Sequence, residues 1–182
     1  MQRHVTLLAL YNHPITRKYV SRSGMAHAIS VAYHAYHLAI EKGIDPDLAT
    51  KAGFLHDIGH YTWYKVDGDW DYHAYQNHDI HPIKGAERAH KLLIRLGEDR
   101  QKAKEVSLAI LLHTDSILPE GQFNYTPLQS IVHMADEKDK EPHHLHHYRQ
   151  IEAHKERQLI SRLDEWVGAK MTVNTVGRLS SV

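Results

Sequence analysis

The stretch Gly53-Phe54-Leu55-His56-Asp57-Ile58-Gly59-His60 sets an imidazole beside a carboxylate, after an apolar run and before a glycine. Those two side chains hold a first-row divalent metal without thiols. Adjacent residues on a helix project about 100° apart. Two neighbours therefore grip one ion only at a specially shaped position, unless the carboxylate leans across to a second ion. Just upstream, Asp45-Pro46 has the form of an N-cap followed by proline at the first helical position. Leu48, Ala49, Ala52, Leu55 and His56 then recur at helical spacing. This helix is expected to end at Gly59, which places His56 and Asp57 in its last turn.

On either side the same helical period continues. From Met25 to Lys42 the apolar residues Ile29, Ala32, Tyr33, Tyr36 and Ile40 mark a helix that carries His27, with Gly43 placed to cap it. His81-Pro82 opens another, with Ala86, Ala89, Leu92, Leu93 and Leu96 on its buried face and Gly97 closing it. Residues 99–113 put Ala103, Val106, Ala109, Ile110 and His113 on one stripe. Thr126-Pro127 caps a helix through Ile131, Val132, Ala135 and Asp136, and Asp115 to Thr126 is a loop. Residues 1–12 form a short helix ended by Asn12-His13-Pro14. Glu141-Pro142 starts a long charged helix to about Trp166, and residues 169–182 are expected to be a loose tail. The expectation is one all-α domain over residues 1–168, a bundle of five to six principal helices.

Residues 61–80 interrupt the pattern. Tyr61, Trp63, Tyr64, Trp70, Tyr72 and Tyr75 crowd around Asp67-Gly68, a turn signal between aromatic flanks. This predicts a small aromatic hairpin or loop insertion. Asp67, Asp69 and Asp71 do not make a calcium loop, because Tyr72 stands where that loop needs glycine and His78 where it needs glutamate.

Composition narrows the function. Cysteine is absent, which excludes disulfides, thiolate zinc sites and a cysteine nucleophile and fits a cytoplasmic protein. No apolar run approaches the roughly 18 residues of a membrane span, and Met1 to Leu10 lack the small-residue cleavage site of a secretory signal. The formal net charge is +0, which argues against a nucleic-acid-coating role. Residues 1–40 nevertheless carry Arg3, Arg17, Lys18 and Arg22 and no acid. Such a segment suits a phosphorylated ligand and suits a solvated basic surface equally. There is no Gly-x-Ser-x-Gly elbow, no Walker loop, no dinucleotide fingerprint and no His-Glu-x-x-His of zinc proteases.

The chain holds 18 histidines, so ligand-like spacings arise by chance and each candidate needs a second argument. His27, His56-Asp57, His81, His113 and Asp136 lie near helix ends or on inward stripes. Four or five packed helices can converge such side chains on one point. His34, His37 and His133 flank these helices as packing or supporting groups. His143, His144, His146 and His147 are expected at the surface, in a charged helix beyond the core.

The order His27, His56-Asp57 and Asp136 resembles the HD superfamily of metal-dependent phosphohydrolases. His27-Ala28-Ile29-Ser30-Val31-Ala32, the spacing of 29 from His27 to His56, and Met134-Ala135-Asp136 at the end of an apolar helix carry the likeness. His81-Pro82-Ile83-Lys84-Gly85-Ala86 and His113-Thr114 are similar to the extra histidine motifs of its two-metal branch, above all the symmetrical dinucleoside-tetraphosphate hydrolases. The likeness covers about residues 24–140. His60 stands where those relatives often carry lysine, and the aromatic segment is longer than theirs.

The resemblance implies that His27, His56, Asp57 and Asp136 hold one divalent ion. Asp57 would bridge to a second, held also by His81 and His113. Iron or manganese suits these donors, with cobalt, nickel, zinc or magnesium as alternatives. A metal-bridged hydroxide would attack a phosphoester or phosphoanhydride in a nucleotide-type substrate, a dinucleoside polyphosphate among the candidates. Asp57 would orient it and His60 would give a proton to the leaving oxygen or bind phosphate. Lys84 and Arg88 share a helix face with His81 and are candidates for substrate phosphate, or else solvated charges. A nucleoside mono- or triphosphate, a cyclic dinucleotide, and a metal-dependent nucleotide sensor without turnover are the other readings. The expected partner is a small phosphorylated molecule, with no nucleic acid and no membrane, and a homo-oligomer is left open.

Overall fold

The computed structural model describes residues 3–61, 71–114 and 124–179. The described residues are all-α, without a strand. Six helices have ten residues or more: α3 (Met25–Lys42), α4 (Pro46–Leu55), α6 (His81–Arg95), α7 (Arg100–Leu111), α8 (Pro127–Asp139) and α9 (Ala153–Leu179). Short α1 (Leu7–Asn12), α2 (Pro14–Val20) and α5 (Tyr72–His78) and a 3-10 helix at Pro142–Tyr148 complete the order. Among these described helices none is long and apolar enough to cross a membrane.

Local chemistry sets the boundaries. The Asp45 carboxylate accepts from the N–H groups of Asp47 and Leu48 at the start of α4, satisfying donors that a helix start leaves open. Asp99 does the same for α7, and Thr126 with Gln129 forms a capping box on α8. Gly43 ends α3 in the left-handed region, at φ 67°.

Helix α4 is the axis of the fold. Each of its ten residues is buried. It lies among α3, α7 and α8, while α3 also packs on α8, α6 pairs with α7, and α1 lies on α9. Burial extends even to Lys51, which is held by Asp47 at 2.6 Å and by Glu98 at the α6–α7 junction. Arg3 reaches the same Asp47 at 2.6 Å and also pairs with Asp164 of α9. A buried charge chain thus ties the N-terminus, the axis and the last long helix together.

Three segments differ from expectation. Helix α4 stops at Leu55, and Ile58 and His60 donate to the carbonyls of Leu55 and Asp57, both three residues back. The chain tightens there into 3-10-like turns, and His56 and Asp57 sit in that tightened winding. The Asp67-Gly68 turn falls outside the described residues. Tyr72–His78, expected as part of the hairpin or loop, is a helix whose first turn is supported by Asp71, with Ala74 N–H donating to its carboxylate at 2.9 Å. The long helix expected from Glu141 to Trp166 is two pieces. A 3-10 helix over Pro142–Tyr148 turns at Arg149, which is extended, and α9 begins at Ala153. Helix α9 then runs on to Leu179, into the segment expected as a tail. No proline stops it, and the two glycines in its path, Gly168 and Gly177, cost only about 1 kcal/mol each in a helix.

Gly59 is where the axis meets α6. A Cβ there would lie 1.9 Å from the His81 carbonyl oxygen and 2.4 Å from the Gly85 nitrogen. Only glycine lets the turn after His56-Asp57 approach the start of the helix that carries His81.

Candidate metal centre

Each histidine of the candidate set is anchored through one ring nitrogen. In the first turn of α3, His27 pairs through Nδ1 with Asp139 Oδ2 at 2.6 Å, and Ser30 Oγ donates to the other oxygen of that carboxylate. His56 Nδ1 donates to the Gly53 carbonyl at 2.8 Å. His113 Nδ1 donates to the Ile110 carbonyl at 2.6 Å. His81 Nδ1 pairs with Asp79, whose second oxygen accepts from the His81 N–H at 3.1 Å. An oxygen acceptor on Nδ1 fixes the proton there and leaves the Nε2 lone pair to face inward.

Those four Nε2 atoms converge on two carboxylates. His27 Nε2 and His56 Nε2 are 3.1 Å apart, and Asp136 Oδ1 lies 3.4 and 3.5 Å from them. Asp57 Oδ2 is 3.7 Å from His27 Nε2 and 3.4 Å from His56 Nε2. The other oxygen, Asp57 Oδ1, is 3.5 Å from both His81 Nε2 and His113 Nε2, which are themselves 3.1 Å apart. The six residues are all buried, with His27 and His56 fully so. Two donor sets therefore share one carboxylate, with one oxygen turned to each.

The electrostatics suit a cation. Burial works against ionising Asp57, yet His56 and His60 beside it hold its carboxyl well below the usual range. Burial likewise opposes a charged Asp136, and His27 and His56 outweigh it. Burial also opposes charge on His27 and His56. Asp136 and Asp139 nonetheless raise the first, and Asp57 and Asp136 raise the second well above its usual value. The two carboxylates thus favour positive charge between them, which is what a divalent ion would supply. His81 is pushed down to about 4, chiefly by burial, so its ring is neutral near pH 7. Ionised carboxylates with imidazole lone pairs are a donor set for iron, manganese or zinc, and three overlapping groups of these side chains have their ligand atoms within 4.8 Å of one another.

The remaining expected residues fall around this core. His60 Nε2 is 3.3 Å from Asp57 Oδ1, and its ring stacks on His81 at 4.1 Å. Lys84 is half-buried, one turn along α6 from His81. Arg88 donates to the Ile58 carbonyl, and its guanidinium lies 3.6 Å from the centre of the Tyr19 ring. His133 donates to the His113 carbonyl at 2.8 Å and so flanks the centre.

Four participants were missed. Asp79 and Asp139 orient His81 and His27, and each stands two or three residues from an expected ligand, a spacing that signals support for it. His146 and His147 were expected at the surface. Instead His146 is 2% exposed, and the two rings lie 4.8 and 5.0 Å from His27. The break in the long helix is what folds them back onto α3.

Comparison with known proteins places the chain. The HD domain family model matches residues 24–165, and the chain belongs to that family. Fold and centre together define it as a metal-dependent hydrolase of the HD type. It is 60% identical over 165 residues to "Putative phosphohydrolase YueE" of Bacillus subtilis (strain 168), covering 91% of this chain and 93% of that one. Ribonuclease Y of Clostridium kluyveri is 35% identical over 88 residues, which is 48% of this chain and 15% of that protein. Ribonuclease Y of Clostridium tetani is 38% identical over 65 residues, 36% of this chain and 12% of that one. No solved structure matches.

Proposed function

We propose that this protein is a two-metal phosphohydrolase that splits a phosphoester or phosphoanhydride bond in a nucleotide-type substrate, with a dinucleoside polyphosphate as the specific candidate. The observation that carries the reading is the division of Asp57, whose two oxygens face two separate pairs of histidines. His27, His56, Asp57 and Asp136 would hold one ion, and Asp57, His81 and His113 the other. A metal pair supplies an activated water at neutral pH and charge stabilisation for an in-line phosphoryl displacement.

The chain's own groups would do the rest. Asp57 fixes the spacing of the two donor sets. His60, stacked on His81 and 3.3 Å from Asp57 Oδ1, sits where a proton can pass to a leaving oxygen. Lys84, one turn after His81, offers an ammonium to substrate phosphate. Arg88 contributes through the guanidinium nitrogens that the Ile58 carbonyl does not engage. The similarity to a protein named as a phosphohydrolase supports the phosphoryl substrate, and the two-metal histidine motifs support the dinucleoside polyphosphate.

The test has two arms. Metal analysis of protein purified without added metal should find two ions per chain. A phosphate-release screen with manganese or ferrous iron should then show turnover of diadenosine tetraphosphate above nucleoside monophosphates. One ion per chain removes His81 and His113 from the ligand set, and no release from any phosphorylated compound removes the catalytic reading.

A further inference from the structure

We infer that Tyr19, Arg22 and Arg88 form a second phosphoryl subsite beside the metal centre. It takes the phosphate next to the one being cut, and so suits a substrate with a diphosphate or longer phosphate chain over a monophosphate. The inference rests on the phosphohydrolase reading above and deepens it.

Three observations carry it. The first is which basic side chains are left over. The acid-free start of the chain holds Arg3, Arg17, Lys18 and Arg22. Arg3 is taken by Asp47 and Asp164, and Arg17 by Glu156 at 2.7 Å. Lys18 and Arg22 pair with no carboxylate among the described residues. Neither does Arg88: its neighbour in the chain, Glu87, is held by Lys91 at 2.7 Å.

The second is how these cations are gathered. The Arg88 guanidinium lies 3.6 Å from the centre of the Tyr19 ring, the Arg22 guanidinium 4.5 Å and the Lys18 ammonium 5.4 Å. Arg22 comes from the turn after α2 and Arg88 from within α6, so the fold brings the two together. Burial lowers the Arg88 pKa from its ordinary value, and the charge of Arg22 pushes the same way. The ring face attracts a cation but carries no net charge, so the pair still calls for an anion. A guanidinium held over a ring keeps its N–H edge for bidentate phosphate contact.

The third is the tether to the centre. Arg22 donates to the His60 carbonyl at 3.3 Å, and Arg88 donates to the Ile58 carbonyl. Those carbonyls stand on either side of Gly59, in the turn that follows Asp57. Through its ring, His60 also reaches Asp57 Oδ1 at 3.3 Å. The cluster is thus fixed to the backbone that carries the shared carboxylate, yet it belongs to neither donor set. With the scissile phosphoryl at the metals, the charge left for these guanidiniums is that of the adjacent phosphoryl. Two guanidiniums over one ring also concentrate their charge. That fits phosphoryl groups joined through one oxygen better than the ribose-spaced phosphates of a nucleic acid.

The test compares two probes with no bond that a phosphohydrolase cuts. Methylenediphosphonate carries two phosphoryl groups and methylphosphonate one. Their binding to the full chain as purified, with manganese present, is measured by titration calorimetry. The unsubstituted protein should bind the diphosphonate more tightly. Arg22→Gln should weaken the diphosphonate roughly 10–100-fold, the worth of one charge-assisted contact, and leave methylphosphonate unchanged. Arg22→Lys, which keeps the charge without the fork, should restore part of the loss. Equal binding of the two probes by the unsubstituted protein, an equal loss of both in Arg22→Gln, or no loss overturns the inference. So does a loss confined to a short oligouridylate, which would make the cluster a contact for a nucleic-acid backbone. Failure of the phosphohydrolase reading shows separately, as absent phosphate release in the screen above, because this binding measurement needs no turnover.

Discussion

Asp139 Oδ2 lies 2.6 Å from His27 Nδ1, and the same carboxylate takes bonds from Ser30 and Arg149. It touches no other member of the donor sets, so its work is to hold one imidazole in one tautomer and one orientation. Outer partners of this kind are typically worth 10–100-fold in metal affinity. Asp139→Ala should therefore weaken binding of the first ion by roughly that factor while binding of the second changes little. Stepwise metal titration checks it, and equal weakening of both ions would contradict the separation into two sets.

The division of Asp57 makes a sharper demand. His81→Ala should lower the count from two ions per chain to one, because it faces only Asp57 Oδ1 among the carboxylates of the donor sets. Asp57→Ala should lower it to none, since both sets lose their shared oxygen donor. Elemental analysis of the two variants after dialysis reads the difference directly. Retention of one ion in Asp57→Ala would show that the sets are held independently.

Stability has its own focus, away from the centre. Lys51 is fully buried on α4, with Asp47 and Glu98 on its ammonium. Removing one partner of such a buried group leaves the others uncompensated and costs about 3–5 kcal/mol. Lys51→Ala should fall in that range by urea unfolding. A Lys51→Met, Glu98→Gln double variant should cost less than the two single changes added together, because the uncompensated charge is removed with its partner.

How far the sequence carries this protein depends on the range of the signal. The helices that bear His27, His56, His81, His113 and Asp136 were legible because capping residues and apolar stripes are local, and because Pro and Gly punctuate them. The convergence of those side chains followed from the motif order. What was missed is non-local. Nothing near His146 or His147 says that their segment folds back, because the contact of His147 with Ser23 spans 124 residues and depends on Gly24 leaving room for the His147 carbonyl. The expected continuous helix from Glu141 failed for the same reason: its period is polar and weak, so tertiary contacts with α3 decide the break. Asp79 and Asp139 were in plain sight beside expected ligands, but a carboxylate two or three residues away supports a histidine only when the backbone turns it inward.

Alkaline pH should reveal the packing of α1 on α9. Tyr11 is buried, its O–H donates to Glu156 at 2.8 Å, and Arg17 meets the same carboxylate at 2.7 Å. Burial first, and then Glu156, raise the phenol above its ordinary value of 10.0. A raised folded-state pKa means that the unfolded chain loses this proton first as pH climbs. The contribution is therefore complete below about 10 and is lost as pH rises through the higher folded value. The melting temperature of the unsubstituted protein should fall between pH 10 and 11 more steeply than that of Tyr11→Phe, which has no phenolic proton to lose. At pH 8, where the phenol is protonated in both states, Tyr11→Phe should be the less stable by about 1 kcal/mol for the missing hydrogen bond. Parallel curves for the two proteins across this range would show that the phenol ionises equally in the folded and unfolded states.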